Sequence, residues 1–234
     1  MTLPCFCMRE SERLHTLVFD LDDTLYPERE YVFSGFRTVD EWLVAERGVK
    51  GFIAQAEALF AAGGRGQIFD EALAALGVRE DGLVGRLVAV YRGHRPAIDL
   101  PAESAAILAA ARGRYRLALL SDGILEVQKR KASALGVSRW IDVQVFSDQW
   151  GREAWKPSER PFREVMRQLP GSPAGYVYIA DNPRKDFIAP RALGWRTVRF
   201  RRAGGEHAAY VGSAAEAAEA EVASMADLRA WLEL

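Results

Sequence analysis

The sequence has few of the residues on which disulfide scaffolds, zinc sites and membrane spans depend. Its 234 residues include only 2 cysteines and 3 histidines. The cysteines, Cys5 and Cys7, are too few for a disulfide framework, and no histidine cluster near them completes a zinc site. No uncharged apolar run approaches the roughly 18 residues that cross a bilayer, and the first residues lack the apolar stretch of a signal peptide. We therefore expect reduced thiols, no membrane partner and a cytoplasmic location.

The chain also lacks a surplus of charge of either sign. Lysine and arginine number 31 against 32 aspartates and glutamates, which gives a formal net charge of -1. Because binding to a nucleic-acid backbone depends on a basic surface, this balance argues against a nucleic-acid partner. Hydrophobic residues make up 49% of the chain, which excludes a disordered or fibrous protein. We interpret the one local basic cluster as a solvated edge; it consists of Arg196, Arg199, Arg201 and Arg202.

Short apolar runs alternate with segments at helical spacing. The runs are apolar nearly throughout, as expected of strands buried on both faces of a parallel sheet, and cover residues 16–19, 117–120, 143–146, 176–179 and 197–200. The segments between them predict helices over 104–111, 125–135 and 161–169. The alternation predicts an α/β fold with a doubly wound, parallel, Rossmann-like sheet. Residues 204–220 are expected at the surface, and residues 224–234 as a closing helix capped by Ser224.

One long interval breaks the alternation. Between residues 27 and 98 no buried strand is evident, and amphipathic helices are predicted over 32–43, 53–62, 68–76 and 83–91. We therefore predict a helical subdomain, residues 27–98, inserted after the first strand of a core formed by residues 11–26 and 99–234. The aromatic residues expected to form the core of the insertion are Tyr31, Phe33, Phe36 and Trp42.

An acidic turn follows the first predicted strand. Asp20 and Asp22 stand at the carboxyl edge of the sheet, where open α/β proteins bind ligands. Carboxylates this close repel one another unless a cation neutralises them. One carboxylate can then hold a hard cation and attack phosphorus while its neighbour handles a proton. Taken alone, the motif is also compatible with a solvated Asp-rich turn.

Three later groups of polar residues stand at the ends of further strands. A hydroxyl with successive N–H groups can form an anion cradle, a lysine can neutralise phosphate, and further carboxylates can hold a cation. Each group alone would fit an ordinary turn or helix cap. Because the carboxyl ends of parallel strands meet at one edge, we expect the groups to converge. They are Ser121 with Asp122, Lys156, and Asp181 with Asp186.

Together and in this order, the motifs resemble those of the haloacid dehalogenase superfamily, in its phosphatase branch with a helical cap inserted after the first core strand. The likeness extends over residues 14–202 and includes the family's four motifs, represented by Asp20-Leu21-Asp22-Asp23-Thr24, Ser121, Lys156-Pro157, and Asp181 with Asp186. The resemblance implies strand order 5-4-1-2-3 and a mobile cap over the strand ends. It further implies a Mg²⁺-dependent phosphatase that hydrolyses a small phosphate monoester, a phosphosugar or a nucleotide, through an aspartyl-phosphate.

The resemblance also implies roles for the acidic residues. Asp20 would be the nucleophile. Asp22 would protonate the leaving oxygen and later deprotonate water, which requires its carboxyl to be protonated near neutrality. Mg²⁺ would be held by the carboxylates of Asp20 and Asp181 and by the backbone carbonyl of Asp22.

The phosphate-binding residues implied by the resemblance come from the middle motifs. Ser121, the backbone amide of Asp122 and Lys156 would hold phosphate oxygens, and Asp186 would orient Lys156 or lie just outside the metal ligands. Position 122 is Asp where the family often has Asn, so we expect its amide and not its side chain to contribute. Ala180 stands where a Gly often precedes the fourth-motif Asp, a small change that should be tolerated.

The sequence leaves the substrate and two alternatives open. A phosphomutase would use the same core, and a non-catalytic binding or regulatory protein could keep the fold. A dehalogenase is disfavoured, because C–halogen cleavage leaves no alkoxide for Asp22 to protonate. Arg29, His94 and Arg95 flank the ends of the cap and could contact a substrate, but we interpret them as solvated side chains. The expected partner is a small phosphorylated metabolite, bound by a monomer or a homodimer.

Overall fold

The structure is a computed structural model that describes residues 13–234, so Cys5 and Cys7 lie outside the described residues. The chain forms two compact units. One consists of the described residues up to Pro27 together with Asp99–Leu234, and the other of Glu28–Ile98. Each unit contains a buried apolar cluster of its own.

The larger unit is built on a six-stranded sheet. All neighbouring strands are parallel, in the order β3-β2-β1-β4-β5-β6. This confirms the predicted α/β fold, and the order 5-4-1-2-3 is present with one further strand beyond β5. The strands are β1 (Thr16–Phe19), β2 (Arg116–Ser121), β3 (Val143–Phe146), β4 (Tyr176–Ala180), β5 (Arg196–Phe200) and β6 (Ala220–Val222).

The sixth strand was not predicted. Its first residue, Ala220, belongs to the segment expected to lie at the surface, yet it pairs in register with Val198 of β5. A strand of three residues has too little sequence for an alternating apolar pattern to show. Its position is set by pairing with β5 and not by a local preference.

The helices correspond closely to the predicted segments. In the helical unit they are α1 (Glu28–Arg47), α2 (Phe52–Ala61), α3 (Ile68–Ala75) and α4 (Leu83–Gly93). In the sheet unit they are α5 (Ala102–Arg112), α6 (Leu125–Ala134), α7 (Arg160–Gln168), α8 (Pro183–Asp186), α9 (Ile188–Ala192) and α10 (Met225–Trp231). Ser224 caps α10 as predicted, because its Oγ accepts the backbone N–H of Asp227 at 3.1 Å. No helix in the described part of the chain is long and apolar enough to cross a membrane.

The core of the sheet unit fixes the strands that end at the acidic residues. Every residue of β1 is buried, as expected for the centre of a parallel sheet. On β4, Tyr178 packs edge-on against Phe162 of α7 with ring centroids 5.0 Å apart. Tyr176 stacks on Trp195 at 4.6 Å. These aromatic contacts hold β4 against α7 and against the segment that leads into β5, so the residues that follow β4 leave the sheet from a rigid point.

The interpretation of the basic cluster as a solvated edge is wrong for two of its members. Arg199 is buried and donates to the backbone oxygens of His207 and Tyr210, at 2.8 and 2.9 Å. Arg202 donates to the backbone oxygens of Asp23 and Thr24, at 3.2 and 2.8 Å. Both side chains therefore tie the segment after β5 to the rest of the sheet unit, because backbone carbonyls in irregular segments need donors.

The helical unit has an aromatic core of the expected kind. Tyr31 and Phe36 are buried, while Phe33 and Trp42 are partly buried against the same cluster. His94 is the exception to the interpretation of the flanking residues as solvated. It is buried, and its ring lies 4.9 Å from that of Tyr31. Arg29 and Arg95 are exposed, as expected.

Candidate active site

The acidic residues of the first and fourth motifs follow directly from neighbouring central strands. Asp20 comes immediately after β1, and its backbone N–H donates to Ile179 O of β4 at 2.9 Å. Asp181 comes immediately after β4, and Ser121 is the last residue of β2. Because β1 lies between β2 and β4, the three residues leave one edge of the sheet side by side.

Lys156 connects this edge to the loop after β3. Its ammonium group lies 2.7 Å from Asp20 Oδ1, 2.8 Å from Asp186 Oδ1 and 2.8 Å from the hydroxyl of Tyr178. The side chain is fully buried. Burial alone would lower the pKa of Lys156, but Asp186 and Asp20 together hold that pKa well above its ordinary value. The group is therefore a permanently charged ammonium in contact with the first aspartate.

The side chain of Asp20 is buried in a strongly polar environment. Burial, the largest influence, raises the pKa of Asp20 to about 6, while the charge of Lys156 acts in the opposite direction. A pKa of about 6 leaves the carboxylate ionised at neutral pH but poorly solvated. A weakly solvated carboxylate beside a fixed ammonium suits nucleophilic attack on an anionic ester.

Asp22 is held by partners from helix α6 and from its own turn. Its Oδ1 accepts from Tyr26 Oη at 2.6 Å and from Lys131 Nζ at 2.8 Å, and its Oδ2 accepts from Gln128 Nε2 at 2.9 Å. Burial acts to raise the pKa of Asp22, but Lys131 and these hydrogen bonds outweigh it and lower the pKa below its ordinary value. The expectation that Asp22 is protonated near neutrality is therefore wrong for this arrangement. A proton can be carried only after the carboxyl leaves these partners.

The side chain of Asp122 points to donors of the protein itself. One oxygen accepts from Ser147 Oγ at 2.6 Å and from the backbone N–H of Lys156 at 3.2 Å. The other lies 3.0 Å from Lys185 Nζ. With both carboxylate oxygens engaged, the backbone amide is the part of Asp122 left for a phosphate oxygen. Ser121, whose hydroxyl is next to this amide, is buried.

Asp186 is the last residue of the short helix α8 and contacts Lys156. Its Oδ2 accepts the backbone N–H of Asn182 at 2.9 Å, while its Oδ1 faces Lys156 Nζ. Asp186 is completely buried. Its carboxylate is thus placed to orient Lys156.

The ionised form of Asp181 is disfavoured by the neighbouring carboxylates of the site. Burial, followed by the charges of Asp186, Asp20 and Asp23, raises the pKa of Asp181 to about 9. Among the described residues, no group of three or more His, Cys, Asp or Glu side chains has the arrangement of a ready metal site. The ligand set implied by the sequence has only two carboxylates, and a carboxyl whose pKa is raised by neighbouring anions is one that a cation would relieve. The donor chemistry, oxygen without sulfur or nitrogen, fits Mg²⁺.

Several residues that complete this arrangement were missed in the sequence. Gln128 and Lys131 are three apart on α6, so they share one helix face, and both are buried. That spacing of polar residues on a helix packed against a sheet was a usable signal. Tyr178 gave no such signal, because a tyrosine in a predicted strand is usually an ordinary core residue. The remaining missed residues are Tyr26, Ser147 and Lys185.

The parallel sheet, the four motifs at its carboxyl edge and the inserted helices together define a class of hydrolase. The haloacid dehalogenase-like hydrolase family matches residues 14–194, and the chain belongs to that family. This confirms the resemblance found in the sequence.

Individual relatives agree with the assignment. A phosphoserine phosphatase from Thermus thermophilus is 29% identical in an alignment that covers 78% of this chain and 86% of that protein. A glyceraldehyde 3-phosphate phosphatase from Methanothermobacter thermautotrophicus is 31% identical over 84 residues, 36% of each chain. The magnesium-bound structure of YfnB, a haloacid dehalogenase hydrolase from Bacillus subtilis, superposes with a TM-score of 0.68 at 16% identity, covering 95% of this chain and all of that one. The family and the two phosphatase relatives support classifying the chain as a phosphoric monoester hydrolase.

Proposed function

We propose that this protein is a Mg²⁺-dependent phosphatase that hydrolyses a small phosphate monoester through an aspartyl-phosphate intermediate. The observation that carries the proposal is the contact of the buried Asp20 carboxylate with the ammonium of Lys156, at 2.7 Å. A nucleophile and a positive charge are thereby fixed together before substrate binds. Phosphoryl transfer depends mainly on such positioning and charge neutralisation.

Asp20 acts as the nucleophile in the first half-reaction. One carboxylate oxygen attacks phosphorus, the ester P–O bond breaks, and the electron pair of that bond leaves with the alkoxide. Lys156, Ser121 and the amide of Asp122 neutralise charge on the phosphoryl oxygens. The Asp20 and Asp181 carboxylates and the Asp22 carbonyl would hold Mg²⁺, which supplies further charge neutralisation when bound.

Asp22 supplies a proton to the leaving alkoxide and accepts one from water in the second half-reaction. Its carboxylate contacts Lys131, Gln128 and Tyr26, and these contacts outweigh burial and lower its pKa. A proton-transfer role therefore includes a change of partners, in which the carboxylate turns away from α6 and takes up a proton from solvent water, which it then gives to the alkoxide. Water then attacks the aspartyl-phosphate, and inorganic phosphate and free Asp20 result.

The substrate class is supported by the names of the relatives. One is a phosphatase of phosphoserine and the other of glyceraldehyde 3-phosphate, and both names describe small phosphate monoesters. We propose a small phosphorylated metabolite of this kind. Its polar body would be recognised outside the residues that hold the phosphate.

A phosphate-release screen across small phosphate monoesters tests the proposal. We expect release with Mg²⁺, its loss on chelation and its return when Mg²⁺ is added back. Asp20→Asn should abolish turnover and leave the unfolding temperature nearly unchanged, because an amide cannot act as the nucleophile. Asp81→Asn, at an exposed aspartate of the helical unit, is the matched control and should retain activity.

Turnover of the Asp20→Asn variant within tenfold of the unsubstituted protein would contradict the proposal, as would full activity after chelation. Transfer of the phosphoryl group to an added sugar phosphate instead of water would favour the phosphomutase alternative.

A further inference from the structure

Three lysines place their ammonium groups against aspartates of the candidate site, and they differ in exposure. The side chains of Lys156 and Lys131 are 0% and 3% exposed, whereas that of Lys185 is 33% exposed. The first two are enclosed by protein acceptors. Lys185 is therefore the lysine of this set that a ligand can reach without displacing the core.

Lys185 lies on α8, between the site aspartates Asp181 and Asp186 in the sequence. Its Nζ is 3.0 Å from Asp122 Oδ2. The ammonium group thus lies beside the residue whose backbone amide we propose to bind phosphate.

Asp122 explains why the lysine is held there. Its side chain is only 3% exposed, and a carboxylate that is buried to this extent needs a counter-charge. The family pattern often has Asn at this position, which would need none. Asp122 anchors Lys185 with one oxygen while the other oxygen is occupied by Ser147 and the Lys156 backbone. Asp122, which stands where the family often has Asn, and Lys185 therefore act together as an ion pair.

We propose that Lys185 is a second phosphate-binding cation of this site, which contacts the substrate phosphate from the exposed side and is positioned by the Asp122 carboxylate. None of the four motifs assigns it a role. The inference rests on the proposed function. It adds a specific claim: Lys185 strengthens binding of the phosphate group itself, whatever alcohol the phosphate is esterified to.

Inorganic phosphate is the probe, titrated calorimetrically in the presence of Mg²⁺ and tested in parallel as a competitive inhibitor. Lys185→Met alone would leave Asp122 as a buried, unpaired anion, which could weaken phosphate binding or folding indirectly. The decisive comparison is therefore Asp122→Asn against the double variant Asp122→Asn/Lys185→Met. In both variants of that pair residue 122 is Asn, so removing Lys185 does not leave a buried carboxylate at position 122 without its counter-charge.

We expect the double variant to bind phosphate at least about tenfold more weakly than Asp122→Asn, the size of a lost hydrogen bond to a charged group. Lys185→Arg, which keeps the charge, should stay within about threefold of the unsubstituted protein. Lys129→Met is the matched control, since Lys129 is an exposed lysine on α6 that pairs with Glu126. It should bind phosphate as the unsubstituted protein does.

Equal phosphate affinity of Asp122→Asn and the double variant would overturn the proposal and leave Lys185 as a structural partner of Asp122 only. In that case the single variant Lys185→Met should still shift the unfolding temperature, because it leaves the Asp122 carboxylate without its counter-charge. If the unsubstituted protein neither binds phosphate nor releases it from any ester, the proposed function fails, and this inference fails with it.

Discussion

At the scale of single residues, the site has more carboxylates than the lysines neutralise. Each of the three lysine ammonium groups pairs with one or two aspartates. Within the described residues no ion pair is formed by Asp181, and its pKa is raised to about 9. The surroundings of Asp181 thus favour the neutral, protonated form of its carboxyl group. A buried acidic group without a counter-charge destabilises the fold, and such groups are retained where function needs them.

This imbalance predicts that Asp181→Asn stabilises the metal-free protein. The pKa of about 9 in the folded state lies above the ordinary value of 3.8, so the folded protein holds a proton between these pH values that the unfolded chain has lost. Stability contributed by this group therefore falls as the pH rises. The variant should unfold a few degrees higher, about 2–4 °C for each kcal/mol, and its advantage should grow from pH 5 to pH 9. Thermal unfolding at several pH values measures this.

Magnesium provides the control for this prediction. Excess Mg²⁺ should raise the unfolding temperature of the unsubstituted protein by mass action and have little effect on Asp181→Asn. An advantage that shrinks with rising pH, or equal responses of both proteins to Mg²⁺, would refute the role given to Asp181.

Asp22 gives a second prediction at this scale, on the transfer of a proton. Alkyl phosphates have poor leaving groups that need a proton, whereas aryl phosphates need it much less. General acid catalysis is typically worth about 10²–10⁴-fold, so Asp22→Asn should slow aspartyl-phosphate formation far more for alkyl than for aryl substrates. Single-turnover measurement of that step is required, because Asp22 also acts in the second half-reaction. Equal slowing of both substrate types would make Asp22 a positioning residue.

At the scale of elements, the segment between β5 and β6 braces the acidic turn. The backbone N–H of Glu206 donates to Asp23 Oδ2 at 2.9 Å, and Arg202 donates to two carbonyls of the same turn. Arg199 in turn holds the segment through the carbonyls of His207 and Tyr210. A segment that composition alone would place in solvent therefore helps to position the turn that carries Asp22.

This brace predicts that Arg199→Met loosens residues 203–219. Loss of a buried guanidinium that serves several acceptors should cost about 3 kcal/mol. The released segment should become a site of limited proteolysis, detected by mass spectrometry of the fragments. Arg196→Met is the matched control, because its pair with Glu219 is solvent-exposed and worth at most about 1 kcal/mol. Equal protease resistance of the two variants would contradict the bracing role.

The sequence predicted elements better than it predicted their contacts. The strands β1 and β3 have the predicted bounds, because both are short runs that are apolar nearly throughout and bounded by polar residues. Helix α6 was predicted from its apolar spacing, but its polar face was not recognised as part of the site. What Gln128 and Lys131 contact is decided by the packing of α6 on the sheet, a long-range property that local spacing does not contain.

At the scale of the whole molecule, the two units have separate apolar cores. The cluster around Phe162 and Tyr178 belongs to the sheet unit, and that around Phe36, Leu43 and Leu87 belongs to the helical unit. The chain passes between the units at only two places, after Pro27 and after Ile98. Units with separate cores can differ in local stability, so the molecule need not unfold as a single cooperative body.

Leu87→Ala tests this independence. Leu87 is fully buried in the core of the helical unit, and removing its side chain should cost about 2–5 kcal/mol through lost burial and the cavity left behind. Hydrogen exchange followed by mass spectrometry should show lost protection across Glu28–Ile98, while β1, β2 and β4 keep theirs. Leu120→Ala, at a fully buried position of β2, is the matched variant in the other unit and should give the opposite pattern. Loss of protection spread evenly over both units in either variant would mean that the two cores unfold as one, because destabilisation of one would then lower the opening free energy of the other.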